Sequence, residues 1–338
     1  MHKQLDMNLT LSDFDYELPP ELIAQHPVTP RDQARLLVIE RAVDTQPARL
    51  THDRFDHLSR WLKPGDLLIV NDSKVIPARL HGTKPSGGKI EVFLLWPTTD
   101  VVWSCLLRGK VTPTTKIQFA DGFIGTIQRK LDDMAWEVSF NKPNITSIGS
   151  VPLPPYITAP SPMIDYQTVY AQAEGSVAAP TAGLHFTEQL LAQLRTANIQ
   201  IAPVTLHVGL GTFAPVKTEN IAAHIMHKEY AILPPETEAA IVATKQRGNK
   251  VVGVGTTACR TLEAFSGRAN QGWVNIFITP GYTFSTVDAL ITNFHLPKST
   301  LLMLVSALAG KTTIDRAYAE AIHERYRFFS FGDAMLIL

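Results

Sequence analysis

The chain has 338 residues, 45% of them apolar and 18% charged, a globular composition that excludes a disordered or fibrous protein and leaves room for two domains. Lysine and arginine together number 31, as do aspartate and glutamate, so a nucleic-acid partner must be held by a local basic patch and not by global charge. The two cysteines, Cys105 and Cys259, lie far apart in sequence and form no CxxC, so neither a disulfide framework nor a cysteine zinc site is indicated.

The first residues form a loose extension without the apolar core of a signal peptide, and the most apolar run, 301–309, is too short to span a bilayer. Together these predict a cytoplasmic protein. Pro19 and Pro20 introduce a short helix over 21–25, residues 36–40 form a strand, and Phe55, Leu58 and Leu62 have helical spacing up to the break at Pro64-Gly65. From 66 to about 151 the pattern changes to short β-branched and aromatic runs at 67–70, 78–82, 89–96, 101–107, 123–131 and 134–140. Asp121-Gly122 and Asp132-Asp133 are hairpin-turn candidates. About six strands without a helix between them predict a small antiparallel barrel, inserted as residues 64–152 into a domain made of 1–63 and 153–338.

After residue 164 helices and strands alternate. Thr187 caps a helix that buries Leu190, Leu191 and Leu194; 201–208, 250–254 and 273–279 are strands; 235–247 and 256–265 are helices. The last helix has the core-facing stripe Ile314, Ala317, Tyr318, Ala321 and Ile322. The fold class expected is therefore α/β, with a largely parallel sheet flanked by helices and interrupted by the antiparallel barrel. Ligands in such sheets sit beyond the carboxyl ends of the strands.

Two loops there place a histidine beside glycine and threonine, PTAGLHFT (180–187) and HVGLGTF (207–213). Glycine lets backbone approach a ligand and histidine carries protons near neutral pH, although each histidine alone is more often a hydrogen-bonded structural residue. In VVGVGTTACR (251–260) the third glycine of a dinucleotide fingerprint is missing, so the turn suits the anionic group of a smaller ligand at a helix N-terminus. The Lys298-Ser299 pair before the apolar helix lacks the glycines of a phosphate loop and is either a donor-rich helix start or an ordinary one. HIMHKE (224–229) is not a zinc-binding HExxH, but His227 and Glu229 share a face if extended and suit an acid–base pair.

These stretches carry a resemblance. FDYELP (14–19), NDSKVIPARL (71–80), PTAGLHFT (180–187), HVGLGTFAPV (207–216), HKEY (227–230), GVGTTACRTLE (253–263), TNFHLPKSTLLMLVSALAG (292–310) and FFSFGDAMLI (328–337), in this order, resemble the S-adenosylmethionine:tRNA ribosyltransferase-isomerase family of queuosine biosynthesis, the QueA family. Lys74 stands where that family more often has arginine, which keeps the charge but loses the bidentate fork.

The resemblance implies an enzyme that consumes S-adenosylmethionine as a co-substrate, without a metal. It implies transfer of the ribosyl group to 7-aminomethyl-7-deazaguanine at the tRNA wobble position, rearrangement to epoxyqueuosine, and release of adenine and methionine. The sulfonium acidifies the ribose C5′ protons, so one base and one acid are required; His185, His207, His227 and Glu229 are the candidates, with no assignment among them. Donor binding is expected from Thr181, Gly183, Phe186, Gly209, Gly211, Thr212, Phe213, Gly255, Thr256, Thr257, Arg260, Asn293, His295, Lys298 and Ser299, with Arg260 or Lys298 on the methionine carboxylate and the aromatic rings toward the sulfonium. RNA contacts are expected from Asp72, Lys74, Arg79 and Arg327, and the enzyme is expected to act as a monomer. Two rival functions are an S-adenosylmethionine-dependent tRNA methyltransferase and a non-catalytic RNA-binding module.

Overall fold

The computed structural model describes residues 9–43, 46–131, 135–209, 216 and 218–338. A nine-stranded sheet has the order Asn270–Val274, Glu229–Leu233, Gln200–His207, Leu67–Asn71, Val251–Val254, Ala289–Asn293, Ala334–Ile337, Arg35–Glu40 and Arg49–Arg54. The run from Gln200–His207 through Ala289–Asn293 is parallel, as is the pairing of Ala334–Ile337 with Arg35–Glu40. The remaining pairs are antiparallel, so the sheet is parallel at its centre and mixed toward its edges.

Side chains alternate across this sheet, and each face acquires its own core. Leu67, Ile69 and Val251 pack with Leu262 of helix Gly255–Ala264, Met303 of helix Thr300–Ala309 and the Ile314, Ala317, Tyr318, Ala321 stripe of helix Lys311–His323. Leu68, Val70 and Val252 pack on the other face with Leu190, Leu191 and Leu194 of helix Glu188–Thr196. That helix is capped as its sequence predicts, the Thr187 hydroxyl accepting from the Leu190 amide at 3.1 Å.

The inserted unit is a closed barrel of Ala135–Phe140, Val102–Arg108, Lys89–Thr99, Arg79–Thr83, Lys116–Gln118 and Ile124–Lys130. Its interior is filled by Leu80, Val92, Leu94, Cys105, Ile117, Ile127 and Val138. Asp121 and Gly122 make the expected turn between two of its strands, whereas Asp132 and Asp133 lie outside the described residues. Where chain enters and leaves the barrel, Ser73–Val75 and Ala173–Ser176 pair in parallel and tie the two ends together.

Several elements differ from expectation. Leu67–Asn71 is buried throughout and lies in the middle of the large sheet, not in the barrel. The barrel instead gains Lys116–Gln118, whose three residues are too short to show a period. The helices expected at 21–25 and 55–61 are 3-10 turns, Pro20–Leu22 and Phe55–Arg60. Among the described residues no helix is long and apolar enough to cross a membrane.

Candidate active site

The main pocket opens beyond the carboxyl ends of the central parallel strands. Segments 178–182, 255–257 and 292–296 meet there, with Tyr156, Val208, Leu301, Phe329 and Ser330 completing the lining. Gly255 follows the strand Val251–Val254 directly, and its φ of +86°, a value that favours glycine, turns the chain into helix Gly255–Ala264. Among the described residues no side chain caps that helix, so its first-turn amides are open to bind an anionic group.

Of the residues expected to bind the donor, Thr181, Gly255, Thr256, Thr257, Asn293 and His295 line this pocket. Gly183 lies behind it, where a Cβ would come within 2.1 Å of the Tyr170 hydroxyl. Phe186 does not face a ligand: it is fully buried, edge-on to Phe55 at 5.0 Å, because the turn Thr181–His185 points it into the core. Lys298 pairs with Asp15 at 2.7 Å on the surface. Ser299 is the cap of helix Thr300–Ala309, accepting from the Leu302 amide. Gly211, Thr212 and Phe213 lie outside the described residues.

A second hollow adjoins the first across Leu301 and is lined by His224, Met226, His227, Glu229, Arg260 and Thr300. Within it Glu229 and Arg260 form a buried ion pair, Oε2 to Nη2 at 2.5 Å, and the other Glu229 oxygen accepts from the Gly209 amide at 3.2 Å. Arg260 is thus already neutralised, and Glu229 is held as its counter-ion.

The four acid–base candidates are divided by the fold. His227 and Glu229 share the second hollow. His185 stands behind the main pocket, against Phe55 at 4.9 Å and 3.2 Å from the amide nitrogen of Asn293. His207 ends the strand Gln200–His207 and lies in neither hollow, 6.4 Å from the Trp96 ring, with its pKa lowered by burial against the opposing pull of Asp72.

The residues expected to touch RNA are mostly occupied by the protein itself. Arg327 donates to the carbonyls of His26 and Phe331, and Arg79 to that of Leu153. Asp72 is half-buried and accepts from the Thr205 hydroxyl at 2.7 Å, its pKa raised by desolvation. Lys74 is on the surface, paired with Glu174 at 2.9 Å. Sequence reasoning missed the exposed Trp273, which with Trp96 and Tyr230 makes an aromatic cluster between barrel and sheet, ring centroids 4.7 to 5.9 Å apart. Isolated aromatic residues on three different strands leave no sequence signal of such a cluster.

Burial depresses the pKa of both His185 and His295 to about 3, with Arg327 and Arg31 adding to the effect at His185. An unfolded histidine titrates near 6.5, so below that pH the unfolded chain binds protons that the native protein refuses. Stability is therefore lost as pH falls from about 6.5 toward 3, by about 1.4 kcal/mol per histidine per pH unit. Urea unfolding at pH 7, 6 and 5 is expected to show this decline, and His185→Gln should make it shallower by one histidine's share; an unchanged slope in that variant contradicts the assignment.

Among the described residues, no group of three or more His, Cys, Asp or Glu side chains is placed to hold a metal ion. A family profile described as queuosine biosynthesis protein matches residues 11–337. The chain is 47% identical over 345 residues to the S-adenosylmethionine:tRNA ribosyltransferase-isomerase of Trichlorobacter lovleyi, across 98% of this chain and 100% of that one. It is 48% identical over 339 residues to the protein of the same name from Thermotoga maritima, with the same coverage. The crystal structure of S-adenosylmethionine tRNA ribosyltransferase from Thermotoga maritima is similar with a TM-score of 0.57 at 40% identity, over 96% of this chain and 100% of that one.

Proposed function

The chain belongs to the queuosine biosynthesis protein family, and from that membership we propose that it performs the reaction its relatives are named for. It transfers the ribosyl moiety of S-adenosylmethionine to 7-aminomethyl-7-deazaguanine at a tRNA wobble position and isomerises it to epoxyqueuosine, releasing adenine and methionine. The observation that carries this reading is the convergence of three segments distant in sequence, 178–182, 255–257 and 292–296, on one pocket at the strand ends.

The residues present suit the donor. Buried Thr257 Oγ1 and Asn293 Oδ1 have no hydrogen-bond partner among the described residues, and a nucleoside with a charged amino-acid tail supplies both donors and acceptors. The methionine carboxylate is best received by the uncapped amides at the start of helix Gly255–Ala264, since Arg260 and Lys298 already have carboxylate partners. The pocket and the hollow of His227 adjoin across Leu301, so the donor extends from the one toward the other. S-adenosylmethionine brings the sulfonium that acidifies its own sugar; the chain's part is to orient it and carry the protons. His227 is the proton carrier, because His185 and Glu229 are held in other contacts and His207 lies elsewhere.

The α/β unit thus carries the chemistry, and the tRNA lies across the cleft between it and the inserted barrel. Trp273, 52% exposed beside Trp96 and Tyr230, offers a face on which an unpaired anticodon base stacks. Methyl transfer and a non-catalytic RNA-binding role are not favoured, since full-length relatives are named for ribosyl transfer with isomerisation.

The test uses the full chain, S-adenosylmethionine and a tRNA carrying the aminomethyl base. Adenine and methionine are expected in equal amounts, matched by epoxyqueuosine in the digested tRNA. A methyl mass increment, or no adenine release, rules the reading out.

A further inference from the structure

Asn293 ends the strand Ala289–Asn293, is 2% exposed and lines the main pocket. Its Nδ2 donates to the Phe329 carbonyl at 3.0 Å and lies 3.2 Å from His185 Nε2. A carbonyl only accepts, so the nitrogen has to face Phe329 and the amide cannot be turned over. The second amide proton then goes to His185 Nε2, which puts the imidazole's own proton on Nδ1. Both amide protons are thereby used within the protein. The atom left for the pocket is Oδ1, buried and without a partner among the described residues. A buried acceptor in that condition is costly unless a ligand satisfies it.

We propose that Asn293 Oδ1 is a specificity-determining acceptor for an amino N–H of the donor, and that His185 is a positioning residue that fixes the amide with its oxygen toward the pocket. This rests on the pocket holding S-adenosylmethionine. The depressed pKa of His185 agrees with the arrangement, because a protonated ring could not accept from Asn293. His185 thereby leaves the acid–base set and enters the recognition machinery.

Two groups of S-adenosylmethionine offer such a donor, the exocyclic amine of adenine and the α-ammonium of methionine. Binding of the full-length protein is measured with S-adenosylmethionine, with its hypoxanthine analogue, which lacks the exocyclic amine, and with its α-keto analogue, which lacks the ammonium. Wild-type protein is expected to lose about tenfold or more in affinity for one analogue. Asn293→Leu should lose a similar factor for S-adenosylmethionine and little further for that same analogue, which identifies the group. The wild-type comparison stands even if the variant does not fold.

His185→Phe, which cannot accept, should raise KM for S-adenosylmethionine in the same direction with a smaller fall in kcat. Its effect should not add to that of Asn293→Leu. His185→Gln, which can present an acceptor oxygen, should restore most of the lost affinity. A kcat collapse in both the Phe and Gln variants makes His185 a proton carrier and overturns the inference. So does an Asn293→Leu penalty that is absent, or equal for all three ligands. Wild-type protein that binds none of the three overturns the functional reading itself.

Discussion

Replacement of His227 by alanine is expected to slow adenine release in a single turnover by about 100-fold or more, with affinity for S-adenosylmethionine nearly intact. The expectation follows by elimination on geometry. His185 is enclosed and in contact with Asn293, Glu229 is clamped by Arg260 and the Gly209 amide, and His207 is outside both hollows. His227 alone of the four expected groups is exposed while lining a hollow next to the main pocket. A positioned acid or base contributes about 100- to 10,000-fold, so a loss below about tenfold would remove His227 from the mechanism. His224 in the same hollow packs edge-on to Phe277 at 5.4 Å, and its alanine variant should show a clearly smaller effect. Such a comparison separates a proton carrier from a residue that merely shapes the hollow.

How much of this was legible in the sequence depends on how local the determining interaction is. The Thr187 cap and the stripe of Ile314, Ala317, Tyr318 and Ala321 are set by neighbours within two turns, and both stand in the structure as read. The barrel was legible as a run of short β segments, but its boundary was not. Leu67–Asn71 is a continuous apolar run, and such a run does not say whether the strand goes to a barrel or to the centre of a parallel sheet. The pocket's location at the strand ends was legible from the topology that the alternation implied. The work of individual side chains was not, because it is decided by partners far along the chain. Asn293 is 108 residues from His185, and nothing in either motif shows that one amide takes up the other's imidazole. Arg79 and Arg327 read as candidate RNA contacts, yet their guanidinium groups are tied to carbonyls 74 and up to 301 residues away.

Removal of the Glu229 carboxylate alone is expected to destabilise the protein by roughly 3–5 kcal/mol, among the largest effects of any single substitution here. Glu229 and Arg260 are each 4% exposed, and the pair joins the strand Glu229–Leu233 to the helix whose first residues line the pocket. In Glu229→Ala the guanidinium would remain in the interior as an uncompensated charge, and desolvation of that charge, rather than loss of the attraction, supplies most of the penalty. The same physics predicts that Glu229→Met combined with Arg260→Met recovers most of the loss, because two apolar chains of similar volume carry no desolvation cost. Guanidinium unfolding of wild type, Glu229→Ala and the double variant measures both. A cost below about 1 kcal/mol for the single change would equal that of an exposed pair and would mean that water reaches the site. The double variant also divides structure from function. Its fold should be restored, but the Gly209 amide would no longer be held by Glu229 Oε1, nor Arg260 kept in the second hollow. Stability without ribosyl transfer is therefore the expected outcome, and full activity in the double variant would confine the ion pair to a purely structural part.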